Sequence, residues 1–153
     1  MKYIDTSAFV KYFGDPEVER GGEKVGNIIS QAKRGEFILI SSFLMIGEAI
    51  SVFDKWVRKG YITDDELNKV LGKFFSVVEG LSEKGGLILA DLDTLNVAFS
   101  IEYILKHNIP INDAIHLYAA LARKSSIDEF ICSDKNLKRA AEGEGFKIFD
   151  PEE

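Results

Sequence analysis

The chain has 153 residues, of which 46% are hydrophobic, a balance that suits one globular domain spanning residues 1–153. Its 25 Asp and Glu outnumber its 19 Lys and Arg, and the net charge of −6 argues against a broad basic surface for nucleic acid. The single cysteine excludes an internal disulfide and a cysteine-based zinc cluster, while the polar start and the lack of an apolar run of membrane-spanning length lead us to expect a cytoplasmic protein with no membrane segment.

Short apolar runs alternate with longer amphipathic runs, which predicts strands separated by helices. In chain order, the predicted strands are Lys2–Asp5, Phe37–Ile40, Leu87–Ala90, Phe130–Cys132 and Phe146–Phe149. The predicted helices are Ser7–Phe13, Glu17–Arg34, Ser42–Arg58, Thr63 to about Ser82, Asp93–His107, Ile111–Lys124 and Lys135–Glu142. This order is typical of an α/β fold in which helices cover both faces of a parallel sheet.

Local sequence features support several of these bounds. The sequence Gly14-Asp15-Pro16 is expected to end the first helix, and Gly21-Gly22 could divide the second helix into two pieces. Thr63 and Glu66 have the spacing of a capping box, in which each side chain bonds to the backbone amide of the other residue. That spacing predicts a helix that begins directly after Thr63.

Acidic residues lie where a parallel sheet places its chemistry, just beyond the carboxyl ends of the strands. Asp5 ends the first strand, Asp134 follows the fourth strand, and Asp113 opens a later helix. Each could instead cap a helix start, where a carboxylate accepts hydrogen bonds from free backbone amides. Taken singly, capping is the simpler interpretation of all three.

Glu48 lies in the middle of a predicted helix, where it cannot act as a cap. Its neighbours about one turn away are Leu44, Met45 and Val52, which are all apolar. The predicted core stripe of this helix lies on another face and consists of Phe43, Ile46, Ile50, Phe53 and Val57. An ionised carboxylate on the second face needs a cation, a hydrogen-bond donor or water. The alternative is a face open to solvent, with its apolar residues covered by a partner chain.

The four acids together indicate more than any one of them. Carboxylates crowded into one cleft repel each other, so that either one is protonated or a cation lies between them. With one cysteine and two histidines in the chain, oxygen ligands favour Mg²⁺ or Mn²⁺ over zinc. Such a site suits phosphodiester cleavage, in which the metal activates a water and stabilises the leaving oxygen. A cation would also allow an acidic cleft to accept a polyanion.

The residues around these acids resemble those of PIN-domain ribonucleases, in particular the VapC-type toxins of prokaryotic toxin–antitoxin pairs. The matching stretches are Tyr3–Ala8, Glu48 after the second strand, Asn112–Leu117, Ile131–Asp134 and Asp150-Pro151. The resemblance covers essentially the whole chain, and one small departure is Ser133, where Thr is usual. It implies a three-layer α/β/α fold around a five-stranded parallel sheet with the strand order 3-2-1-4-5.

The resemblance also implies a function, an endoribonuclease whose metal-activated water hydrolyses RNA phosphodiester bonds. The implied ligands of one or two Mg²⁺ or Mn²⁺ ions are Asp5, Glu48, Asp113 and Asp134. The implied supporting residues, which carry hydroxyl or amide groups, are Thr6, Ser7, Asn112, Ser133 and Asn136. Two alternatives stay open, namely a housekeeping RNA-processing nuclease and a non-catalytic domain that binds RNA or protein.

The family resemblance further implies a homodimer and a small antitoxin protein that covers the cleft. Two helices carry apolar residues on more than one side, and these supply the candidate interface residues Phe53, Trp56, Val57, Tyr61, Phe74 and Phe75. Basic side chains could steer RNA phosphate toward the acids or could form an ordinary solvated face. The candidates for this basic rim are Lys11, Lys135, Lys138 and Arg139.

Two further polar features have competing interpretations. Asp91 and Asp93 superficially resemble the Asp-x-Asp loop of haloacid-dehalogenase-like enzymes, but Thr94 comes one residue early for that motif, so we interpret the acids as turn and N-cap residues. His116 follows Asp113 by one turn and could share a metal with it. We favour a hydrogen-bonded, partly buried histidine, because apolar residues surround it in the sequence.

Overall fold

A computed structural model describes residues 1–15 and 19–153. The strands in this part of the chain are β1 (Lys2–Ile4), β2 (Leu39–Ser42), β3 (Leu87–Ala90), β4 (Glu129–Ile131) and β5 (Ile148–Phe149). The α-helices are α1 (Thr6–Phe9), α2 (Gly22–Lys33), α3 (Leu44–Arg58), α4 (Asp64–Glu83), α5 (Thr94–His107), α6 (Ile111–Leu121) and α7 (Lys135–Gly143). Short 3-10 helices cover Val10–Phe13 and Lys124–Ser126.

The five strands form one parallel sheet in the order β3-β2-β1-β4-β5, which confirms the predicted fold. β1 pairs with β2 on one side and with β4 on the other, so the strand order reverses between β1 and β4. Parallel sheets bind ligands beyond the carboxyl ends of their strands at such a reversal. Asp5 lies at this point, and its backbone N–H donates to the carbonyl of Ile131 at 2.9 Å.

Two buried apolar clusters flank the sheet, one on each face. Successive residues of β1 point to opposite faces, so Ile4 belongs to one cluster and Tyr3 to the other. The first cluster takes in α1 to α4, and the second takes in α6, α7 and Cys132. Both faces of the sheet are therefore covered, which explains why its strands are short continuous apolar runs.

Most predicted bounds lie within two residues of the observed ones, and the helix starts explain the agreement. The capping box of α4 is present, since the Thr63 hydroxyl accepts from the Glu66 amide at 3.2 Å and Glu66 accepts from the Thr63 amide at 2.7 Å. Asp93 caps α5 by accepting from the Asn96 amide at 2.7 Å. The N-cap interpretation of Asp93 is therefore confirmed.

The early part of the chain departs from its predicted helices. The first predicted helix is divided into α1 and the 3-10 helix that follows it. Gly21 is the N-cap of α2 with a left-handed φ of 90°, which the absence of a Cβ permits, so the Gly21-Gly22 pair begins the helix. The part of the predicted second helix that covers residues 17–18, and the turn residue at position 16, lie outside the described residues.

The predicted core stripe of α3 is wrong for most of its members. Phe43 precedes the helix and is 55% exposed, Ile50 is 37% exposed, and Val57 is only partly buried, whereas Ile46 is partly buried and packs against the core cluster. The buried residues are instead Met45, Ala49, Phe53 and Trp56. These also repeat at helical spacing, so α3 carries two apolar stripes, and packing against α4 and the sheet selects this one.

The same packing removes three candidate interface residues. Phe53, Trp56 and Phe74 belong to the core cluster on the α3 and α4 side of the sheet. Their rings pack edge-to-face or tilted at centroid distances between 5.2 and 5.6 Å. They are therefore not available to a partner chain, whereas Tyr61 and Phe75 are exposed.

Across residues 1–15 and 19–153, no helix is both long enough and apolar enough to span a membrane.

Candidate active site

A cavity of about 600 Å³ opens beyond the carboxyl ends of β1 and β4. Its walls combine the starts of α1, α6 and α7 with one face of α3. The lining residues are Asp5, Thr6, Ser7, Leu44, Gly47, Glu48, Ser51, Val52, Lys55, Asn112, Asp113 and Asp134. All four predicted acids line this one cavity, which we call the acid cavity.

Asp5 and Asp134 are helix caps as well as lining residues. Asp5 caps α1 by accepting from the Ser7 amide at 2.9 Å, and Asp134 caps α7 by accepting from the Asn136 and Leu137 amides, each at 2.9 Å. The capping interpretation is therefore correct for both residues. It does not compete with a site, because each cap holds a carboxylate in a defined place at the cavity wall.

The Ser7 hydroxyl connects the ends of β1 and β4. It accepts from the backbone amides of Ser133 and Asp134, each at 3.1 Å. These bonds hold the segment after β4 against the start of α1. Asp5 and Asp134 therefore keep a fixed separation across the sheet reversal.

Glu48 faces the acid cavity from α3 and is bound by donors from two other elements. The Thr6 hydroxyl donates to its Oε2 at 2.5 Å, and Nε2 of His116 lies 2.8 Å from the same atom. Burial acts to raise the pKa of Glu48, but the bond and charge of His116 and the bonds from Thr6 and Asn112 outweigh it, and the pKa is lowered. Glu48 is therefore ionised, and its face of α3 is occupied by polar partners of this chain.

Asp113 lies in the first turn of α6, and its pKa is shifted by burial and by the acids around it. Burial and the negative charges of Asp134 and Asp5 raise its pKa to about 6. His116 opposes this shift, and Glu48 adds to it. A carboxyl group that stays partly protonated near neutral pH lacks a compensating positive charge, which a bound cation would supply.

The family model of the PIN domain matches residues 2–143 of this chain. The chain belongs to the PIN-domain family. PIN domains are generally nucleases that use divalent metal ions, so the family accounts for a cavity lined by four carboxylates. Comparison with curated proteins gives no match.

The acid cavity of this PIN domain fits a hard divalent cation by its chemistry. All four acids offer carboxylate oxygens, which suit Mg²⁺ or Mn²⁺, and burial together with the negative charges of Asp134 and Asp5 raises the pKa of Asp113. In residues 1–15 and 19–153, no three His, Cys, Asp or Glu side chains already surround a common ion position. Glu48, Asp5 and Asp134 each turn one oxygen toward a protein donor, and each carboxylate has a second oxygen that could bind an ion.

The predicted supporting residues divide into two groups. Thr6, Ser7 and Asn112 line the acid cavity and bond to the acids or to the backbone beside them. Ser133 and Asn136 do not line it. The Ser133 hydroxyl donates to Oδ1 of Asp150 at 3.0 Å and supports the C-terminal segment, while Asn136 is exposed and contributes its backbone amide to the cap of α7.

The predicted basic rim is not continuous. Lys11 is only 6% exposed, and its ammonium group pairs with Glu19 at 3.5 Å and with Glu152. Lys11 is therefore a structural residue, and its prediction as part of the basic rim is wrong. Burial made this difference, because the 3-10 helix after α1 turns Lys11 inward.

The other three basic candidates lie beside a second cavity, of about 320 Å³, along α7. Lys135, Lys138 and Arg139 line it together with Asp150. Lys138 pairs with Asp150 and lies 3.5 Å from Glu153, whereas Lys135 and Arg139 are exposed. These residues are near the start of α7, which Asp134 caps, but they do not enter the acid cavity.

Lys55 is the basic residue that lines the acid cavity, and our sequence reasoning missed it. It follows Glu48 by seven residues on α3, which places the two side chains on one helix face about 10 Å apart along the axis. Among the described residues, no acidic side chain forms an ion pair with it. Applying the helical period to Glu48, rather than to the apolar residues, would have identified Lys55.

Replacing Asp113 with Asn should stabilise the metal-free protein at about pH 8. The raised pKa means that ionising Asp113 destabilises the fold, so the cost is present above about pH 6 and fades as the pH falls through that value. Because Asp113 is only half-buried and partly screened, we expect the melting temperature to rise by about 2–6 °C. Thermal melts followed by circular dichroism at several pH values would measure this.

The matched control for Asp113→Asn is Glu79→Gln, which removes an exposed acid of α4 far from the cavity in the sequence. It should leave the melting temperature unchanged at both ends of the pH range. Millimolar Mn²⁺ should stabilise the unmodified protein more than Asp113→Asn, since the variant loses a charged ligand. An Asp113→Asn variant that melts at the unmodified temperature at every pH would contradict the assigned pKa.

Proposed function

We propose that this PIN domain is an Mg²⁺- or Mn²⁺-dependent endoribonuclease that hydrolyses RNA phosphodiester bonds. We further propose that it acts in the cytoplasm as the toxin of a VapBC-type pair, with a small antitoxin protein that covers the acid cavity. One observation carries the nuclease proposal. Four carboxylates from the end of β1, α3, α6 and the segment after β4 line a single open cavity, and burial together with the charges of the neighbouring acids raises the pKa of Asp113 to about 6.

The four acids have different tasks in this proposal. Asp5 and Asp134 are held by their helix caps and would provide fixed ligand oxygens. Glu48 is kept ionised by Thr6 and His116, and Asp113 would release its proton when one or two divalent ions bind. A bound divalent ion supplies a lowered pKa for an attacking water and stabilises charge on the phosphoryl and leaving oxygens.

Contacts to the RNA backbone would come from the positive charges nearest the acids. Lys55 lines the acid cavity, and Lys135 and Arg139 are exposed beside the start of α7. Lys138 is held by Asp150 and would contribute less. Because these charges are few, RNA binding should depend on the metal, which offsets the carboxylate charge at the point where phosphate arrives.

Replacing Asp5 with Asn should abolish most RNA cleavage while preserving the fold. Asn caps helices as well as Asp does, so α1 should keep its N-terminus, but a neutral amide is a poor Mg²⁺ ligand. We expect the cleavage rate with Mg²⁺ or Mn²⁺ to fall by about 100-fold or more, and EDTA to abolish the activity of the unmodified protein. Glu79→Gln is the control. Cleavage that persists unchanged in Asp5→Asn or in EDTA would contradict the proposal and favour a binding module.

Replacing Lys55 with Ala should weaken RNA binding without changing metal binding. Loss of one phosphate contact should reduce the slope of log affinity against log salt by about one unit. Binding of a non-cleavable RNA in the presence of Ca²⁺, measured at several salt concentrations, would test this. Lys69→Ala, which removes an exposed lysine of α4, is the control. Equal salt slopes for Lys55→Ala and the unmodified protein would exclude the contact.

We propose a homodimer formed through α5. Among the described residues of this helix, only Ser100 is buried. The exposed large apolar side chains of the helix are Leu95, Phe99, Ile101 and Leu105. Several large apolar side chains exposed on one helix suit a contact with another protein chain. Sedimentation should therefore show a dimer, and Leu105→Lys should shift the equilibrium toward the monomer. A monomer at high protein concentration would contradict the proposal.

A further inference from the structure

A chain of buried polar groups leads from β1 through α6 to the acid cavity. The hydroxyl of Tyr3 lies 2.8 Å from Nδ1 of His116, and Nε2 of the same ring lies 2.8 Å from Oε2 of Glu48. Tyr3 is fully buried, and His116 is 1% exposed. Three elements that are far apart in the sequence therefore meet through these bonds, and only the last one, Glu48, reaches the cavity.

Apolar packing of the Tyr3 ring does not require its hydroxyl group. The Tyr3 ring stacks on Phe130 with a centroid distance of 4.8 Å, and a phenylalanine ring would make the same contact. Burying a hydroxyl group costs free energy unless it forms a hydrogen bond, and His116 provides that bond. The Ser41 side chain and the Ser42 backbone also lie beside the hydroxyl group. Its bond to His116 joins it to an imidazole whose plane stands almost perpendicular to the Tyr3 ring, at an interplanar angle of 81°.

The surroundings of His116 determine which of its nitrogens carries a proton. Nε2 faces Glu48 and lies 3.6 Å from Oδ1 of Asp5, and ionised carboxylates are acceptors only, so Nε2 must be protonated. The Tyr3 hydroxyl can donate or accept, and it therefore suits Nδ1 whether His116 is neutral or charged. A ring rotated by 180° would place a carbon against Glu48 and lose both bonds.

We propose that Tyr3 and His116 are positioning residues that hold the Glu48 carboxylate in its place on the wall of the acid cavity. They act through a chain in which Tyr3 fixes the His116 ring and the ring fixes Glu48. The role resembles that of the outer partners of metal ligands, which fix the orientation of a ligand without touching the ion. It rests on the proposed function, because Glu48 is assigned there as a metal ligand.

Replacing Tyr3 with Phe isolates the hydroxyl group, since the ring contact with Phe130 is retained. The first readout is the 15N NMR spectrum of the metal-free protein, in which each histidine ring reports its protonated nitrogen. The chain has two histidines, so His107 serves as an internal reference. We expect Nε2 of His116 to stay protonated in both proteins, because Glu48 still faces it, and the Nδ1 signal to shift in Tyr3→Phe, where that nitrogen loses its hydrogen bond.

The second readout is metal binding. We expect Tyr3→Phe to weaken Mn²⁺ binding by about 10–100-fold and to lower kcat for RNA while leaving KM nearly unchanged. The matched control is Tyr118→Phe, which removes another tyrosine hydroxyl from α6 at a position outside the acid cavity. It should change neither readout. His116→Gln, whose amide can still donate to Glu48, should keep more Mn²⁺ affinity than His116→Ala.

The outcomes separate this proposal from the proposed function. If Tyr3→Phe keeps the unmodified His116 spectrum and Mn²⁺ affinity, the positioning role is wrong even where RNA is cleaved. If the spectrum and Mn²⁺ affinity change as expected but the unmodified protein cleaves no RNA, the positioning role stands and the nuclease proposal fails. A His116 protonated at Nδ1 alone in the unmodified protein would overturn the proposal even if Tyr3→Phe does not fold.

Discussion

The polar contacts around the acid cavity are arranged to offset the repulsion among four carboxylates. Asp5, Glu48, Asp113 and Asp134 line one cavity where the sheet reverses its strand order. Charges of one sign brought together in a partly buried place raise the free energy of the folded state unless donors or cations compensate them. The surrounding polar contacts can be understood as that compensation, and it is incomplete at Asp113.

The compensation comes from local structure wherever the backbone can supply it. Asp5 and Asp134 each accept amide hydrogen bonds at a helix start, and the Ser7 hydroxyl binds the two segments together. Glu48 lies in the middle of a helix, where backbone amides are already bonded, so its donors must be side chains of other elements. Thr6 and His116 fill that place, and Tyr3 supports His116 from inside the sheet.

Much of this arrangement is predictable from the sequence, because it follows from rules that act over a few residues. Alternation of apolar runs and helices implies the parallel sheet, and acids directly after strands must lie at one edge of it. The capping box at Thr63 and the cap at Asp93 are also local. By contrast, α3 has two apolar stripes, and the pattern alone did not reveal that Met45 and Ala49 face the core while Phe43 and Ile50 face solvent.

The sequence by itself determined the order of the elements, the four acids and their oxygen-ligand chemistry, since residue type and spacing along the chain set these. Tertiary structure decided which face of α3 is buried, and therefore that Lys55 of this helix lines the acid cavity. Separately, it enclosed Lys11 between Glu19 and Glu152. It also decided that His116 bonds to Tyr3 and Glu48. The physical reason is that burial and ion pairing depend on contacts between segments distant in the sequence, which no local pattern encodes.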